Sequence, residues 1–273
     1  MRRLRRLLAC AIVGLTLGIA LYAGLVRAGF ARNPFAPVAH GDLELARSNR
    51  AGLRVLFVGN SFTFENSLPR LVHKLAAADP GRPPIYSVEY ALPGWTLEQA
   101  SHDRGLERLL ADVHWDVVVL QEQSQLLSFP EEQWQRETYP YAHKLDDEIR
   151  AAGAQTLLFM TWGYRLGDRR NYAHDTYSAM QARLESGYTQ LGNELPATVE
   201  PVGRAWAEAL RRDPDLQLWA DDGKHPSLLG SYLAACVFYA TLSRRDRSRS
   251  RFTAGLNPAE ARFLQSVAAE VAG

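Results

Sequence analysis

Short runs of consecutive apolar residues alternate along the chain with longer segments of mixed polarity. The runs at 55–58 and 117–120 hold four apolar residues in a row, which is typical of strands buried on both faces of a parallel sheet. The mixed segments have the pattern of helices. We predict strands at 55–58, 85–92, 117–120, 156–161 and 198–202, and helices at 68–77, 97–110, 130–152, 172–191, 203–211, 227–242 and 256–271.

This alternation predicts the fold class. Strands separated by helices form parallel sheets with helices on both faces, so we expect an α/β protein built as a three-layer α/β/α sandwich. Pro201 lacks a main-chain donor, which either weakens the prediction of the fifth strand or places that strand at an edge of the sheet. The predicted domain covers residues 51–273, a length that suits one α/β domain. Residues 29–50 have weak periodicity and are interpreted as a spacer.

The first 28 residues have a different pattern. Residues 7–26 carry no charge, and as a helix they would rise about 30 Å, enough to cross a bilayer. Four arginines precede this run, which places the N-terminus in the cytoplasm. We predict that residues 1–28 are a signal anchor that holds the domain in a bacterial periplasm or an equivalent compartment. The alternative is a signal peptide cleaved after residue 28 or 31, which would give a secreted protein.

Charge and cysteine content bear on the partners and sites to be expected. The formal net charge is +1, but residues 1–27 hold five arginines and no acid. The remainder therefore has 26 basic against 30 acidic side chains, and no basic surface for nucleic acid is expected. Cys10 and Cys236 lie in very different segments, so we expect no disulfide. No Cys or His cluster has the spacing of a zinc site, and we predict no metal.

A candidate nucleophile follows the first apolar run. Gly59 ends the predicted strand, and ligands of open α/β sheets bind at such carboxyl ends, where Ser61 lies. The alternative is that Ser61 caps the next helix. A serine nucleophile needs an oriented histidine as its base. Among seven histidines, His225 differs because it lies in a polar loop directly before an apolar helix, with Asp222 three residues earlier to orient it. For this pair the alternative is a turn or a helix cap.

Four short motifs occur in a characteristic order. They are Gly59-Asn60-Ser61, then Gly94, then Gln-Glu-Gln-Ser at 121–124, then Asp-Gly-Lys-His-Pro at 222–226. In this order the chain resembles the SGNH (GDSL-like) hydrolases over about residues 54–242. The resemblance implies a flavodoxin-like α/β/α sandwich. It also implies an esterase, lipase, carbohydrate deacetylase or O-acetyltransferase that uses no metal or organic cofactor.

The resemblance assigns roles to the motif residues. Ser61 would be the nucleophile, His225 the general base and Asp222 the residue that orients it. The oxyanion hole would consist of the main-chain N–H groups of Ser61 and Gly94 and the side-chain amide of Gln123. Gln123 stands where the family has an asparagine, and Asn60 stands where the family name has an aspartate.

Further residues near the strand ends are candidate substrate contacts. The aromatic rings of Trp95, Trp162 and Tyr164 could stack on a sugar, or they could pack under the domain instead. Glu122 is interpreted either as a structural hydrogen-bonding residue or as a substrate contact.

We therefore predict an exported serine esterase that acts through an acyl-enzyme, with an acetyl ester of a carbohydrate as one candidate substrate. The alternatives are an envelope O-acyltransferase that forms the same acyl-enzyme, and a non-catalytic binding module on the same fold. The Gln123 departure favours the binding module, whereas the intact Ser61, Asp222 and His225 oppose it. The sequence does not predict an oligomeric state.

Overall fold

The apolar runs lie side by side in one sheet. The protein is described by a computed structural model over residues 37–48, 50–79, 81–243 and 250–272. Within these residues six strands pair in the order β1-β3-β2-β4-β5-β6, and every neighbouring pair is parallel except β1 with β3. The strands are β1 (His40–Gly41), β2 (Leu53–Gly59), β3 (Ile85–Ala91), β4 (Val117–Leu120), β5 (Gln155–Phe159) and β6 (Thr198–Glu200).

Strand β2 occupies the middle of the sheet and is covered on both faces. Successive side chains of a strand point to opposite faces, and Val55, Leu56, Phe57 and Val58 are all at most 1% exposed. Helices must therefore cover both sides of the sheet. This arrangement confirms the predicted α/β class with a mostly parallel sheet. The fifth predicted strand corresponds to β6, which lies at an edge of the sheet and ends at Glu200, before Pro201.

The strands are connected by helices of unequal length. The described helices are α1 (Leu43–Arg47), α2 (Ser61–Phe64), α3 (Leu68–Ala77), α4 (Leu97–Ser101), α5 (Arg104–Asp112), α6 (Glu131–Glu137), α7 (Tyr139–Ala151), α8 (Tyr177–Glu194), α9 (Val202–Arg212), α10 (Leu228–Ser243) and α11 (Pro258–Ala272). Two 3-10 turns occur at Glu65–Ser67 and Leu126–Ser128. Helix α10 packs against α3, α9 and α11, whereas α4 packs against α7.

Two predicted helices are each divided into two. The helix predicted at 97–110 is interrupted before Asp103, whose side chain accepts a hydrogen bond from a main-chain N–H and begins α5. The helix predicted at 130–152 is interrupted at Thr138, whose φ of −123° is not helical. Pro140 then occupies the first turn of α7, where its missing N–H costs no hydrogen bond.

Part of the predicted spacer at 29–50 is folded onto the sheet. Strand β1 pairs with β3, and α1 follows it. Asp42 fixes this segment, because its Oδ2 accepts a hydrogen bond from Ser87 N at 3.1 Å and lies 2.8 Å from His73 Nδ1. These elements belong to a compact unit that spans Val38–Gly273. No local pattern predicts this pairing, because its contacts are made with residues far along the chain.

The predicted export segment is not among the residues that the structure describes. Residues 1–28, including the apolar run at 7–26, lie outside the described residues. Among the helices of the described residues, none is both long enough and apolar enough to cross a membrane.

Helix α10 anchors one side of the candidate site. It is buried along most of its length, and the Phe238 ring meets Phe57 of β2 and Phe159 of β5 edge-on at centroid distances of 5.2 and 4.9 Å. At its start Gly230 has no room for a side chain, because a Cβ there would lie 2.3 Å from the Leu218 carbonyl oxygen. The loop that precedes α10, with His225, therefore ends at a fixed position.

Candidate active site

Ser61 is presented by a tight turn between β2 and α2. Asn60 is the N-cap residue, and its Oδ1 accepts a hydrogen bond from Phe62 N at 3.3 Å. The interpretation of Ser61 as the cap is therefore wrong, because Ser61 is the first helical residue. Gly59 must be glycine here, since a Cβ would lie 2.5 Å from Thr63 Oγ1 and 2.6 Å from Gln121 Oε1. The turn brings the Ser61 hydroxyl to the carboxyl edge of the sheet.

Gln121 fixes this turn from the neighbouring strand. Its Oε1 accepts hydrogen bonds from Asn60 N at 3.0 Å and Thr63 Oγ1 at 2.9 Å. Its Nε2 donates to Asn60 Oδ1 at 2.9 Å. Both amide side chains are buried, so these hydrogen bonds form away from water and hold the turn firmly. No role was predicted for Gln121, although a polar residue directly after the buried strand β4 is a local signal for one.

Ser61, His225 and Asp222 form a continuous hydrogen-bonded chain. Ser61 Oγ lies 2.9 Å from His225 Nε2, and His225 Nδ1 lies 2.5 Å from Asp222 Oδ2. When Nδ1 donates its proton to the carboxylate, Nε2 is left as the acceptor for the serine hydroxyl. The structure thus brings together the three residues that the sequence predicted to be catalytic, and their catalytic roles stay predictions.

The Asp222 carboxylate is kept ionised by its surroundings. Partial burial raises its pKa, but the hydrogen bond from the His225 ring and those from main-chain N–H groups outweigh this effect, so the pKa of Asp222 lies below its ordinary value. The second oxygen, Oδ1, accepts from Lys224 N at 2.9 Å and His225 N at 3.0 Å. An ionised carboxylate in this position stabilises a protonated imidazole.

Asn66 fixes the histidine loop to the serine segment. Its Nδ2 donates to Pro226 O at 3.1 Å and to Ser231 Oγ at 2.9 Å. Its φ of +53° is in the left-handed region, which asparagine tolerates better than most residues. Because Pro226 directly follows His225, these contacts set the position of the imidazole relative to Ser61. No local pattern in the sequence identifies this contact.

Three stacked aromatic rings support the imidazole. Phe62 meets His225 edge-on at 5.6 Å and stacks on Trp162 at 4.6 Å, and Trp162 in turn stacks on Trp206 at 4.1 Å. Trp162 Nε1 also donates to Lys224 O at 3.0 Å. Trp162 is fully buried, so the prediction that it contacts substrate is wrong. It packs beneath the site and holds the His225 loop.

The predictions that Trp95 and Glu122 contact the substrate are also wrong. Trp95 is 7% exposed and packs against Tyr90, and it does not line the cleft at Ser61. Glu122 is 1% exposed, and its Oε1 accepts from Leu97 N at 3.1 Å and Gln123 N at 2.6 Å. Burial raises the pKa of Glu122 to about 7, and these main-chain hydrogen bonds lower it only in part. These contacts agree with the alternative interpretation of Glu122 as a structural hydrogen-bonding residue.

A cleft of about 530 Å³ opens over Ser61. Its lining includes the predicted oxyanion residues Gly94 and Gln123, together with Ser124 and Tyr164, whose hydroxyl groups lie 2.7 Å apart. Gly94 has a φ of +66°, and a side chain there would meet nothing within 4 Å.

The predicted oxyanion residues have N–H groups that are available to a ligand. Within the described part of the chain, the main-chain N–H groups of Ser61 and Gly94 have no hydrogen-bond acceptor. Gln123 Oε1 accepts from Gln125 N at 2.9 Å, which leaves Nε2 as the atom that can donate into the cleft. The three predicted donors therefore line one cleft with the serine. In the described residues no group of three His, Cys, Asp or Glu side chains is arranged to hold a metal ion.

Comparison with solved structures identifies the fold. The chain is 27% identical to a candidate SGNH hydrolase from Slackia heliotrinireducens, with a TM-score of 0.58 over 70% of this chain and 99% of that chain. A DUF4886 family protein from Bacteroides uniformis matches at 20% identity with a TM-score of 0.68, over 80% of this chain and 94% of that chain.

The acetylxylan esterase Axe2 from Geobacillus stearothermophilus matches at 18% identity with a TM-score of 0.50, over 69% of this chain and 93% of that chain. No family model and no curated protein sequence matches this chain.

Proposed function

We propose that this chain, which belongs to the SGNH (GDSL-like) hydrolase superfamily and is a serine hydrolase of ester bonds, uses Ser61, His225 and Asp222 as its catalytic triad. The observation that carries the assignment is the 2.9 Å contact between Ser61 Oγ and His225 Nε2, with Asp222 on the other ring nitrogen. A non-catalytic binding module would have no need for this alignment. The flavodoxin-like three-layer arrangement is part of the same proposal.

The proposed reaction has two halves. In the first, Ser61 Oγ attacks the ester carbonyl carbon while His225 Nε2 takes the hydroxyl proton, and Asp222 stabilises the imidazolium. The C–O bond to the alcohol then breaks, and His225 gives its proton to the leaving oxygen. In the second half a water molecule attacks the acyl-enzyme, His225 takes a proton from the water, and Ser61 Oγ leaves with that proton. The products are the acid and the free enzyme.

The negative charge of each tetrahedral intermediate would be held by three donors. These are the main-chain N–H groups of Ser61 and Gly94 and the Nε2 of Gln123. A single oxyanion donor is typically worth about 10²–10³ in kcat. Both the main chain and the side chain of Gln123 are fixed by hydrogen bonds. Glu122 accepts from the main-chain N–H of Gln123, and Gln125 N donates to its Oε1. The longer side chain thus has the anchoring that a donor in this position requires.

The proposed substrate is a small acyl ester, with an acetylated carbohydrate as the first candidate. The likeness in fold to an acetylxylan esterase supports this choice. The open, partly polar cleft can admit an alcohol portion larger than the acyl group. The buried positions of Trp95 and Trp162 remove two of the three predicted stacking rings, whereas the third, Tyr164, lines the cleft. We further propose that residues 1–28 direct the domain to the cell envelope or outside the cell.

Labelling with a fluorophosphonate probe tests the triad. The wild-type protein is compared with Ser61→Ala, His225→Ala and the matched control Ser266→Ala, which removes an exposed hydroxyl on α11. We expect full labelling of the wild type and the control, none of Ser61→Ala, and strongly slowed labelling of His225→Ala. Hydrolysis of 4-nitrophenyl acetate should follow the same order. Equal labelling of Ser61→Ala and the wild type would contradict the assignment of the nucleophile.

A further inference from the structure

A second depression adjoins the catalytic cleft. It has a volume of about 230 Å³ and is formed by the loop 164–170, which follows β5, and by residues 222–224 of the histidine loop. We call it the basic groove. Tyr164 and Lys224 line both the basic groove and the catalytic cleft, so a substrate bound at Ser61 can extend from one into the other.

The basic groove has an excess of exposed positive charge. Arg165, Arg169, Arg170 and Lys224 line it and are all exposed. Within the described part of the chain, none of these four side chains forms an ion pair with a carboxylate. The Lys224 ammonium lies 4.9 Å from the centre of the Tyr164 ring, at the boundary with the catalytic cleft.

The acidic side chains nearby are engaged elsewhere. Asp222 is hydrogen-bonded to His225. Asp168 is 2% exposed, and its Oδ2 accepts from Gln125 Nε2 and Asn171 Nδ2, both at 2.8 Å. Asp175, behind the loop, is paired with Arg183 at 2.6 Å. The groove is thus lined by four cations and two carboxylates, which leaves an excess of two positive charges for a ligand to neutralise.

The loop that presents these cations is held rigidly. Gly167 has a φ of +71° and lies so close to the main chain of Thr176 that a Cβ would come within 2.6 Å. Arg165 N donates to Gly223 O at 2.8 Å, which joins the loop to the triad segment. Arg169 bends back, and its Nε donates to Leu166 O at 3.1 Å. The loop geometry is thus set before a ligand binds, which lowers the entropic cost of binding.

We propose that the basic groove binds an anionic group, a carboxylate or a phosphate, on the alcohol portion of the ester substrate. The inference rests on the proposed esterase function and adds a substrate class to it. An acetyl group has no charge, so the anion must lie on the alcohol. The planar guanidinium groups of Arg165 and Arg170 match the two oxygens of a carboxylate or phosphate, and the Lys224 ammonium adds a point charge beside the reacting centre.

The test compares three acetyl esters of similar shape. These are 4-acetoxybenzoate, 4-acetoxyphenyl phosphate and the neutral 4-acetoxybenzamide, each assayed with the full-length protein. We expect kcat/KM to be higher for the two anions, mainly through a lower KM. The preference should shrink between about 20 mM and about 0.5 M NaCl, because salt screens exposed charges. Preference for only one anion would support the groove and identify its ligand as phosphorylated or carboxylated.

Variants test whether the preference for anionic esters depends on the basic groove. In Arg165→Ala/Arg170→Ala we expect the ratio of kcat/KM for anionic over neutral ester to fall about tenfold, as for the loss of two exposed ion pairs. Lys224→Met should lower the same ratio. The control Arg262→Ala removes an exposed arginine from α11, outside both depressions, and should leave the ratio unchanged.

Two results would overturn the inference, and they can be told apart. Hydrolysis of all three esters with equal kcat/KM, unaffected by the arginine variants, would exclude anion binding in the groove and leave the esterase function intact. Failure of the wild type to hydrolyse any of the three esters, or 4-nitrophenyl acetate, would contradict the esterase function itself.

Discussion

Glu122 offers a test of how the site is built, because it is a buried acid that holds main-chain groups. One carboxyl oxygen, Oε1, accepts from Leu97 N at the start of α4, just after the Gly94 loop, and from Gln123 N in the loop after β4. The other, Oε2, is fully buried. Replacement by glutamine keeps the accepting oxygen and removes the ionisation.

The magnitude follows from the pKa. Burial raises the pKa of Glu122 from its ordinary 4.5 to about 7 in the folded protein. Between these two values the unfolded chain has released a proton that the folded protein still holds, so the stability of the wild type falls as the pH rises. At about 1.4 kcal/mol per pH unit the loss amounts to about 3 kcal/mol, and it stays constant above pH 7.

Glu122→Gln should lack this loss. Its free energy of unfolding is expected to lie near that of the wild type at about pH 4.5 and to exceed it by about 3 kcal/mol at about pH 8. Urea unfolding of both proteins across this range measures the difference. Glu200 is also buried and has a raised pKa of about 8. It is present in both proteins, so its contribution to the free energy of unfolding cancels in the comparison.

The matched control is Glu132→Gln, at an exposed position of α6. Its stability should follow the wild type at every pH. Wild type and Glu122→Gln with parallel stability profiles between pH 4.5 and 8 would refute the argument, because ionisation of Glu122 would then carry no cost. Glu122→Gln should also keep esterase activity, since its oxygen can still hold both loops, whereas Glu122→Ala should lose it.

Three further results are expected. Asn66→Gly keeps the left-handed backbone but removes the hydrogen bonds to the loop of His225; it should cost about 1–3 kcal/mol in urea unfolding and lower kcat, and unchanged values would exclude the tether. Gln123→Ala should lower kcat about 10²–10³-fold on 4-nitrophenyl acetate, and an equal kcat would exclude an oxyanion role. The hydrogen bond with Asp42 raises the pKa of His73 above 6.5. The His73→Ala variant should therefore be less stable than the wild type, most of all below pH 6.5. This difference in stability should shrink as the pH rises through the raised pKa. Urea unfolding at about pH 6 and pH 9 measures this change.

The strands of the central sheet were predictable because their surroundings are uniform. Strands β2 and β4 are covered on both faces, and such strands must be apolar at every position, so the runs at 55–58 and 117–120 stand out in the sequence. The division of the predicted helices was not predictable to the same degree. The folding of 40–47 onto β3 depends on contacts between distant segments.

In the candidate site, too, some residues could be predicted from local patterns and others could not. Ser61, His225 and Asp222 have local signs: a serine at a strand end, and an acid three residues before a histidine in a polar loop. The residues that hold them together have none. Asn66 meets Ser231 across 165 positions of sequence. Trp162 was misplaced because a residue just beyond a strand can point into the cleft or beneath it, and the space between Phe62 and Trp206 decides this.

The separation of the two reacting residues along the chain has a consequence for synthesis. Ser61 and His225 are 164 residues apart, and His225 is positioned by the helix that follows it. At 5–20 residues per second a ribosome needs about 10–30 s to travel this distance. Throughout that interval the serine has no partner to accept its proton and is an ordinary, unreactive hydroxyl. With the proposed triad, the nascent chain hydrolyses no ester until α10 has been made and has packed against the rest of the domain.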